Sequence, residues 1–238
     1  MIQQYRQSGL RYSVANKYIG GGVFVPTNID GCVLLIESDV GVTVDGTTIQ
    51  SWTDQTGLHN FIRAGYDTDV TLVPNAQNGY PAVKSTDNAN LPLYTGQFDL
   101  GDCTIFLVGS NGESLGENGA GFGIGVGGDS FGTQNTYLRV YMNAIGAAEE
   151  GYDFSAYQIL ACTRQGLAVD VYLNGSSLIG LTGEWDPEWL WRFSKLMYVG
   201  DTGQTGGNLL AAAMYNSVLS NTNRILVENY LNDKYALY

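Results

Sequence analysis

At 238 residues the chain is generous for one domain and short for two, so a single core is the default, since β sandwiches commonly run to about 200–250 residues. It is 44% hydrophobic but only 14% charged, with 32 Gly and 16 Tyr, which suits strands and tight turns and excludes a bundle of long solvated helices. A net charge of −12 excludes nucleic acid as the partner of the whole domain, because phosphate affinity comes from Lys and Arg displacing counterions; no apolar run reaches the roughly 18–20 residues of a membrane span.

Residues 1–30 read as an N-terminal arm. Up to residue 29 it holds three of the 11 basic residues and none of the 23 acids, leaving eight bases against 23 acids in the body. Tyr5, Tyr12 and Tyr18 with Arg6, Arg11 and Lys17 form a candidate set for docking onto a neighbouring subunit; a leader that wraps its own domain explains them equally well. The opening MIQQYRQSGLRYSVANKY lacks the continuous apolar stretch of a signal peptide, so the expectation is a protein made in a cytoplasm.

From Gly31 onward short apolar or alternating runs recur between turn signals: CVLLI (32–36), TTIQSW (47–52), VTLV (70–73), PAVKS (81–85), TIFLVGS (104–110), GFGIGV (121–126), TYLRVYM (136–142), YQILACTR (157–164), LAVDVYLNG (167–175), KLMYVGD (195–201) and NLLAAAMY (208–215). Their spacing predicts a sandwich or barrel. In LAVDVYLNG, Leu167, Val169, Val171 and Leu173 share one face, so that strand should have one buried and one wet side. Asn174-Gly175 then supplies the positive φ angles of a tight hairpin. After Ser220 or Asn221, Leu226, Val227, Tyr230, Leu231 and Tyr235 recur at spacings of three and four, which predicts one C-terminal helix with Lys234 in its last turn, opposing the helix dipole.

The segments SWTDQTGLHN (51–60), NAQNGYPAVKS (75–85), DVYLNG (170–175) and the ending from KLMYVGD (195–201) to VENYLNDKYAL (227–237) keep the order of, and resemble, motifs of laminin-G-like domains of the concanavalin A-like lectin and glucanase superfamily. The resemblance runs from about residue 31 to the end. It implies an all-β, concanavalin A-like jelly-roll sandwich over 31–238 with an N-terminal arm and one C-terminal helix, and it marks Trp52 as a fold residue. One departure is Ala211 to Ala213, where such domains usually carry an acid in the last strand. The fold hosts lectins, glycanases, adhesion modules and coat domains alike, so function has to come from a site.

The chemistry is sparse. The Glu-x-Asp-x-x-Glu strand of a glycanase is absent: Glu149 and Glu150 are adjacent, and Glu184 and Glu188 flank a proline. His59 is the only histidine and sits in a turn, where a hydrogen-bonded turn histidine is the ordinary explanation; Cys32, Cys103 and Cys162 lie beside apolar runs and read as small buried thiols without zinc spacing. Glycines 119–132 lack the Lys-Ser/Thr ending of a phosphate loop. No cofactor is expected; calcium at a sandwich rim would draw on Asp67 with Asp69 or Asp99 with Asp102, pairs that are commoner as turn formers.

The richest polar-aromatic cluster is GEWDPEWLWRF (183–193), with Trp185, Asp186, Glu188, Trp189, Trp191 and Arg192. Sugars stack on aromatic rings while charged groups take their hydroxyls, so the cluster suits glycan contact; subunit contact and core packing are the alternatives. The resulting expectation is a structural or decoration protein of a bacteriophage-type virion, not an enzyme, which assembles as an oligomer with other coat or tail proteins and touches host glycans. The alternative is a soluble carbohydrate- or receptor-binding lectin-like module, and a glycan-active hydrolase is a third class.

Overall fold

The computed structural model describes residues 23–63, 70–85, 93–111, 122–126, 129–134, 137–142, 145–149, 151–182, 190–196 and 207–238; the expected arm falls almost entirely outside them. Among the described residues the strands are β1 (Cys32–Glu37), β2 (Val42–Asp45), β3 (Thr48–Trp52), β4 (Phe61–Arg63), β5 (Val70–Gln77), β6 (Tyr80–Ser85), β7 (Leu93–Leu100), β8 (Cys103–Ser110) and β9 (Gly123–Val126). They continue as β10 (Asp129–Gln134), β11 (Tyr137–Met142), β12 (Ile145–Glu149), β13 (Gln158–Gln165), β14 (Ala168–Leu173), β15 (Ser176–Thr182), β16 (Trp191–Leu196) and β17 (Asn208–Tyr215), before helix α1 (Asn221–Tyr235).

The strands form two sheets by antiparallel pairing. The first runs β15–β14–β13–β8–β17–β1. The second runs β12–β11–β10–β9–β16–β7–β4–β3–β2. The β5–β6 hairpin closes one side, β6 pairing with the start of β17 and β5 meeting β3 at Thr48 and Thr71. This is the all-β sandwich with a C-terminal helix that the strand pattern predicts.

Alternation along the first sheet explains its composition. Ile105 and Leu107 of β8, Leu160 and Cys162 of β13, and Ala212 and Met214 of β17 enter the core between the sheets. Their neighbours Phe106, Val108, Ile159, Ala161, Ala211, Ala213 and Tyr215 face the other way and are equally buried, because Val227, Leu231 and Tyr235 of α1 cover them. Strands buried on both faces read as continuous apolar runs, and the alanines of β17 occupy little room beneath the helix. A bulge between Leu209 and Ala211 lets Leu210 share the helix-side face, and the Leu210 carbonyl accepts hydrogen bonds from Ser38 N and the Tyr235 hydroxyl.

The helix is capped by Ser220, whose Oγ accepts from Asn223 N at 3.2 Å, and ends at Ala236 in the left-handed region at φ +51°. Its buried stripe includes Arg224 and Glu228, which the spacing of apolar residues does not mark. They tolerate burial because they pair at 2.5 Å and the Arg224 guanidinium stacks 3.8 Å above the Tyr172 ring. Lys234 does more than oppose the helix dipole, since it reaches Glu37 and Asp39.

On β14, Val169 and Val171 are buried and Ala168 and Asp170 exposed, as alternation predicts, while Leu167 falls in the preceding turn and is exposed. Asn174 and Gly175 adopt φ +49° and +78° in the hairpin to β15. The strands β2, β4, β7, β10 and β12 were not legible, being short or broken by Gly, Asp and Thr.

All three cysteines are free. Burial pushes the Cys32 thiol up to about 11 and that of Cys103 to about 12, and holds Cys162 well above the ordinary thiol range. A disulfide-exchange dye at pH 8 should therefore leave Cys103 and Cys162 unmodified in the native protein and titrate three thiols in urea. Rapid native labelling of two or more thiols would contradict this packing.

Candidate functional site

The helix closes the outer face of the first sheet, so the outer face of the second is where the sandwich can present side chains. The strand YLRVYM (137–142) shows how. Leu138 and Val140 enter the core, so Tyr137, Arg139 and Tyr141 alternate onto the outer face. The Arg139 guanidinium lies 5.5 Å from the centroid of the Tyr141 ring.

Strand register defines what surrounds them. One row across the outer face runs Lys195, Gly125, Ser130, Tyr141 and Gly146, from β16 to β12. The next runs Gly123, Gly132, Arg139 and Ala148. Between the long side chains stand Gly123, Gly125, Ser130 and Gly132, all of them buried. Gly125 cannot be enlarged, since a Cβ there would sit 2.2 Å from the Asp129 carbonyl oxygen across the tight β9–β10 hairpin. Ser130 is wholly buried although it points away from the core, and its Oγ has no hydrogen-bond partner among the described residues. The buried Nε of Arg139 is likewise without one.

Of the tryptophan cluster read from the sequence, Trp185, Asp186, Glu188 and Trp189 lie outside the described residues, as do Tyr5, Arg6, Arg11, Tyr12, Lys17 and Tyr18 of the arm. Trp191 is core: it is fully buried, packs against Phe131 and Phe193, and donates from Nε1 to the Tyr141 carbonyl at 2.7 Å. A ring in that position has no face to offer a ligand. Arg192 points outward from β16 and forms an ion pair with the buried Asp129. Asp99 sits opposite Arg192 and accepts from Gln97.

The other polar candidates serve the fold. Asp102 accepts from Gly166 N at 2.7 Å in a turn contact, Asp67 and Asp69 lie outside the described residues, and no group of three His, Cys, Asp or Glu suited to a metal occurs among the described ones. The His59 ring stacks on Phe98 at 3.9 Å, and burial lowers its pKa. Its backbone amide donates to Asp54, the turn aspartate of the SWTDQTGLHN motif. Glu37, in contact with Gln55, Tyr230 and Lys234, was not singled out by the sequence. Nor was the outer face of β11, although the alternation of TYLRVYM carries that signal.

No family model and no curated sequence matches the chain. Solved structures do. A sialidase of Trypanosoma rangeli, in complex with 2,3-difluoro-KDN, matches with a TM-score of 0.56 at 15% identity, over 94% of this chain and 36% of that one. The binding domain of botulinum neurotoxin DC, in complex with rat synaptotagmin II, matches with a TM-score of 0.51 at 11% identity, over 85% of this chain and 52% of that one. Botulinum neurotoxin type C, whose cell entry depends on interaction with two ganglioside molecules, matches with a TM-score of 0.50 at 12% identity, over 87% and 53%. The chain therefore spans about a third of the sialidase and half of the neurotoxin chains. At these identities the likeness is one of fold. It nonetheless corrects the expectation drawn from the missing glycanase motif that the protein is not an enzyme: sialidases are among the matching structures, so the lack of one carboxylate pattern does not exclude catalysis.

Proposed function

We propose that this chain is a lectin-like binding module that recognises cell-surface glycan through the outer face of its second sheet. The observation that carries the reading is the alternation of Tyr137, Arg139 and Tyr141 above a floor of small residues. Aromatic rings offer stacking surface to sugar C–H faces, and the guanidinium offers donors to its hydroxyls. The dependence of botulinum neurotoxin type C entry on gangliosides and the complex of the botulinum neurotoxin DC binding domain with synaptotagmin II support this class of partner. The laminin-G-like motifs support the same architecture, with the module spanning residues 31–238. Attachment to a virion through the basic arm of residues 1–30 is the second part of the proposal, resting on Arg6, Arg11 and Lys17 in an otherwise acidic chain.

A glycan array followed by calorimetry tests the main reading. Tyr141→Ala is expected to weaken the best binder about tenfold, corresponding to about 1.4 kcal/mol, while the melting temperature stays close to wild type. Release of free sugar is followed in the same samples. No binding to any glycan, or binding indifferent to Tyr137→Ala and Tyr141→Ala together, would sink the reading.

A further inference from the structure

We infer that Asp99 and Arg192, side by side on the outer face of the second sheet, hold two adjacent hydroxyls of a neutral sugar, with Leu190 against its C–H face. The inference rests on the lectin-like reading and adds to it a second contact and the class of sugar.

Trp191 and Phe193 enter the core from β16 and Leu100 does so from β7, so Arg192 and Asp99, which face each other in register, point outward. Both are open to solvent. Asp99 and its neighbour Gln97 are exposed, as is 40% of the Arg192 side chain. Leu190, just ahead of β16, is 51% exposed beside Gly101, its Cδ2 lying 3.7 Å from where a Cβ of Gly101 would stand. An apolar side chain on a wet surface, next to a charged pair and a residue without a side chain, gives a sugar ring something to lie against.

An arginine and an aspartate opposite one another on adjacent strands have Cβ atoms about 5 Å apart and ordinarily close an ion pair. These two do not. The Arg192 Nε turns instead to the buried Asp129, and Asp99 accepts from Gln97 Nε2 through Oδ1 at 3.1 Å. Among the described residues, the other Asp99 oxygen and the two terminal nitrogens of Arg192 are not engaged. An acceptor and a fork of donors therefore face solvent at neighbouring positions. A hydroxyl both donates and accepts, so of two on adjacent ring carbons one can donate to the carboxylate while the other accepts from the guanidinium.

Charge decides the class of sugar. On this part of the face Arg192 and Lys195 stand with Asp99 and Asp129, so the two signs balance, in a chain of net charge −12. A balanced cluster on an acidic protein does not draw an anion, whereas hydroxyls use partners of both signs. Tyr141 stands three strand spacings from β16, roughly 14 Å away, so a ligand touching both places is an oligosaccharide.

Calorimetry compares lactose, cellotetraose, mannotetraose and sialyllactose on the wild-type chain and on Asp99→Ala, Asp99→Asn and Arg192→Lys. The expected result is that a neutral sugar binds, and that sialyllactose binds no more tightly than lactose. Asp99→Ala weakens the neutral sugar about tenfold, and Asp99→Asn, which keeps an acceptor for Gln97, weakens it too. Arg192→Lys keeps a cation for the buried Asp129 but lacks the planar fork, so it weakens binding several-fold with the melting temperature near wild type. Deoxy derivatives of the bound sugar should lose affinity at two adjacent carbons. Undiminished binding to Asp99→Ala and Arg192→Lys overturns the inference, and leaves the lectin-like reading standing if Tyr137→Ala with Tyr141→Ala still abolishes it. A tenfold preference for sialyllactose over lactose, or losses confined to one carbon or to separated carbons, overturns it as well. Failure of every sugar, across the array too, overturns both.

Discussion

Asp54→Ala is expected to lower the unfolding free energy by about 3–5 kcal/mol, enough to leave little native protein at 37 °C if the domain is of ordinary stability. Asp54 is buried, and its two oxygens gather donors from two parts of the chain. Oδ1 accepts from Leu35 N at 2.8 Å on β1 and Thr56 N at 3.0 Å; Oδ2 accepts from Leu58 N at 3.1 Å, His59 N at 3.0 Å and the Thr56 hydroxyl. Alanine would strand the backbone amides of Leu35, Thr56 and His59, the first of them within the first sheet, and leave Leu58 N only the Thr56 hydroxyl at 3.3 Å. Asp54→Asn keeps one acceptor oxygen and should cost less. Urea denaturation followed by tryptophan fluorescence measures both. An alanine variant within about 1 kcal/mol of wild type would show that the turn is not what ties the end of β3 to β1.

Lys234→Met should cost about 3 kcal/mol for a different reason, the abandonment of a buried charge. Glu37 is only 3% exposed; its Oε1 accepts from Lys234 Nζ and the Tyr230 hydroxyl, both at 2.9 Å, and its Oε2 from Gln55 Nε2 at 2.8 Å. Removing the ammonium leaves the carboxylate with two neutral donors. The double variant Glu37→Gln, Lys234→Met should recover part of the loss, as the charge left behind is then gone. The same cluster fixes the response to alkali. Burial alone would lower the Lys234 pKa, but Glu37 and Asp39 outweigh it and raise it, while burial raises the hydroxyls of Tyr230 and Tyr235. Groups whose folded pKa lies above the unfolded one stabilise the protein fully below the unfolded value and lose that contribution as pH rises through the folded value. The thiols of Cys32 and Cys103, raised to about 11 and about 12, follow the same sign from an ordinary value of 9.0. Urea midpoints should therefore decline above about pH 9 and more steeply above about pH 10, the latter part being shallower in Lys234→Met. A midpoint independent of pH between 9 and 11 would contradict the cluster.

These two residues explain why the fold was more legible than the site. The motifs that resemble laminin-G-like domains, WTDQ in the β3 turn and YLNDKY in the helix, converge on Glu37: Trp52 Nε1 donates to its carbonyl at 3.1 Å, and Gln55, Tyr230 and Lys234 reach its carboxylate. They record the joint between sheet and helix, which many functions can share. The long apolar strands were readable because burial leaves a compositional trace. Strands such as DSFGTQ and LYTGQFDL were not, because their outward positions carry Gly, Ser, Asp and Gln. The candidate site sits on those less legible strands. Trp191 misleads for the opposite reason: a large aromatic beside an arginine looks alike in sequence whether it plugs a core or faces solvent.

Helix α1 has a consequence for how the domain can be held. Phe24 and Ile29 at the start of the described chain belong to the helix-side cluster, and Tyr238 follows the helix directly, its hydroxyl close to the β14–β15 turn. Both ends of the described residues therefore lie on the side that the helix seals. A bead or fibre gripping the chain at Phe24 or at Tyr238 would hold the sandwich with its second sheet turned outward, like a stamp gripped by its back.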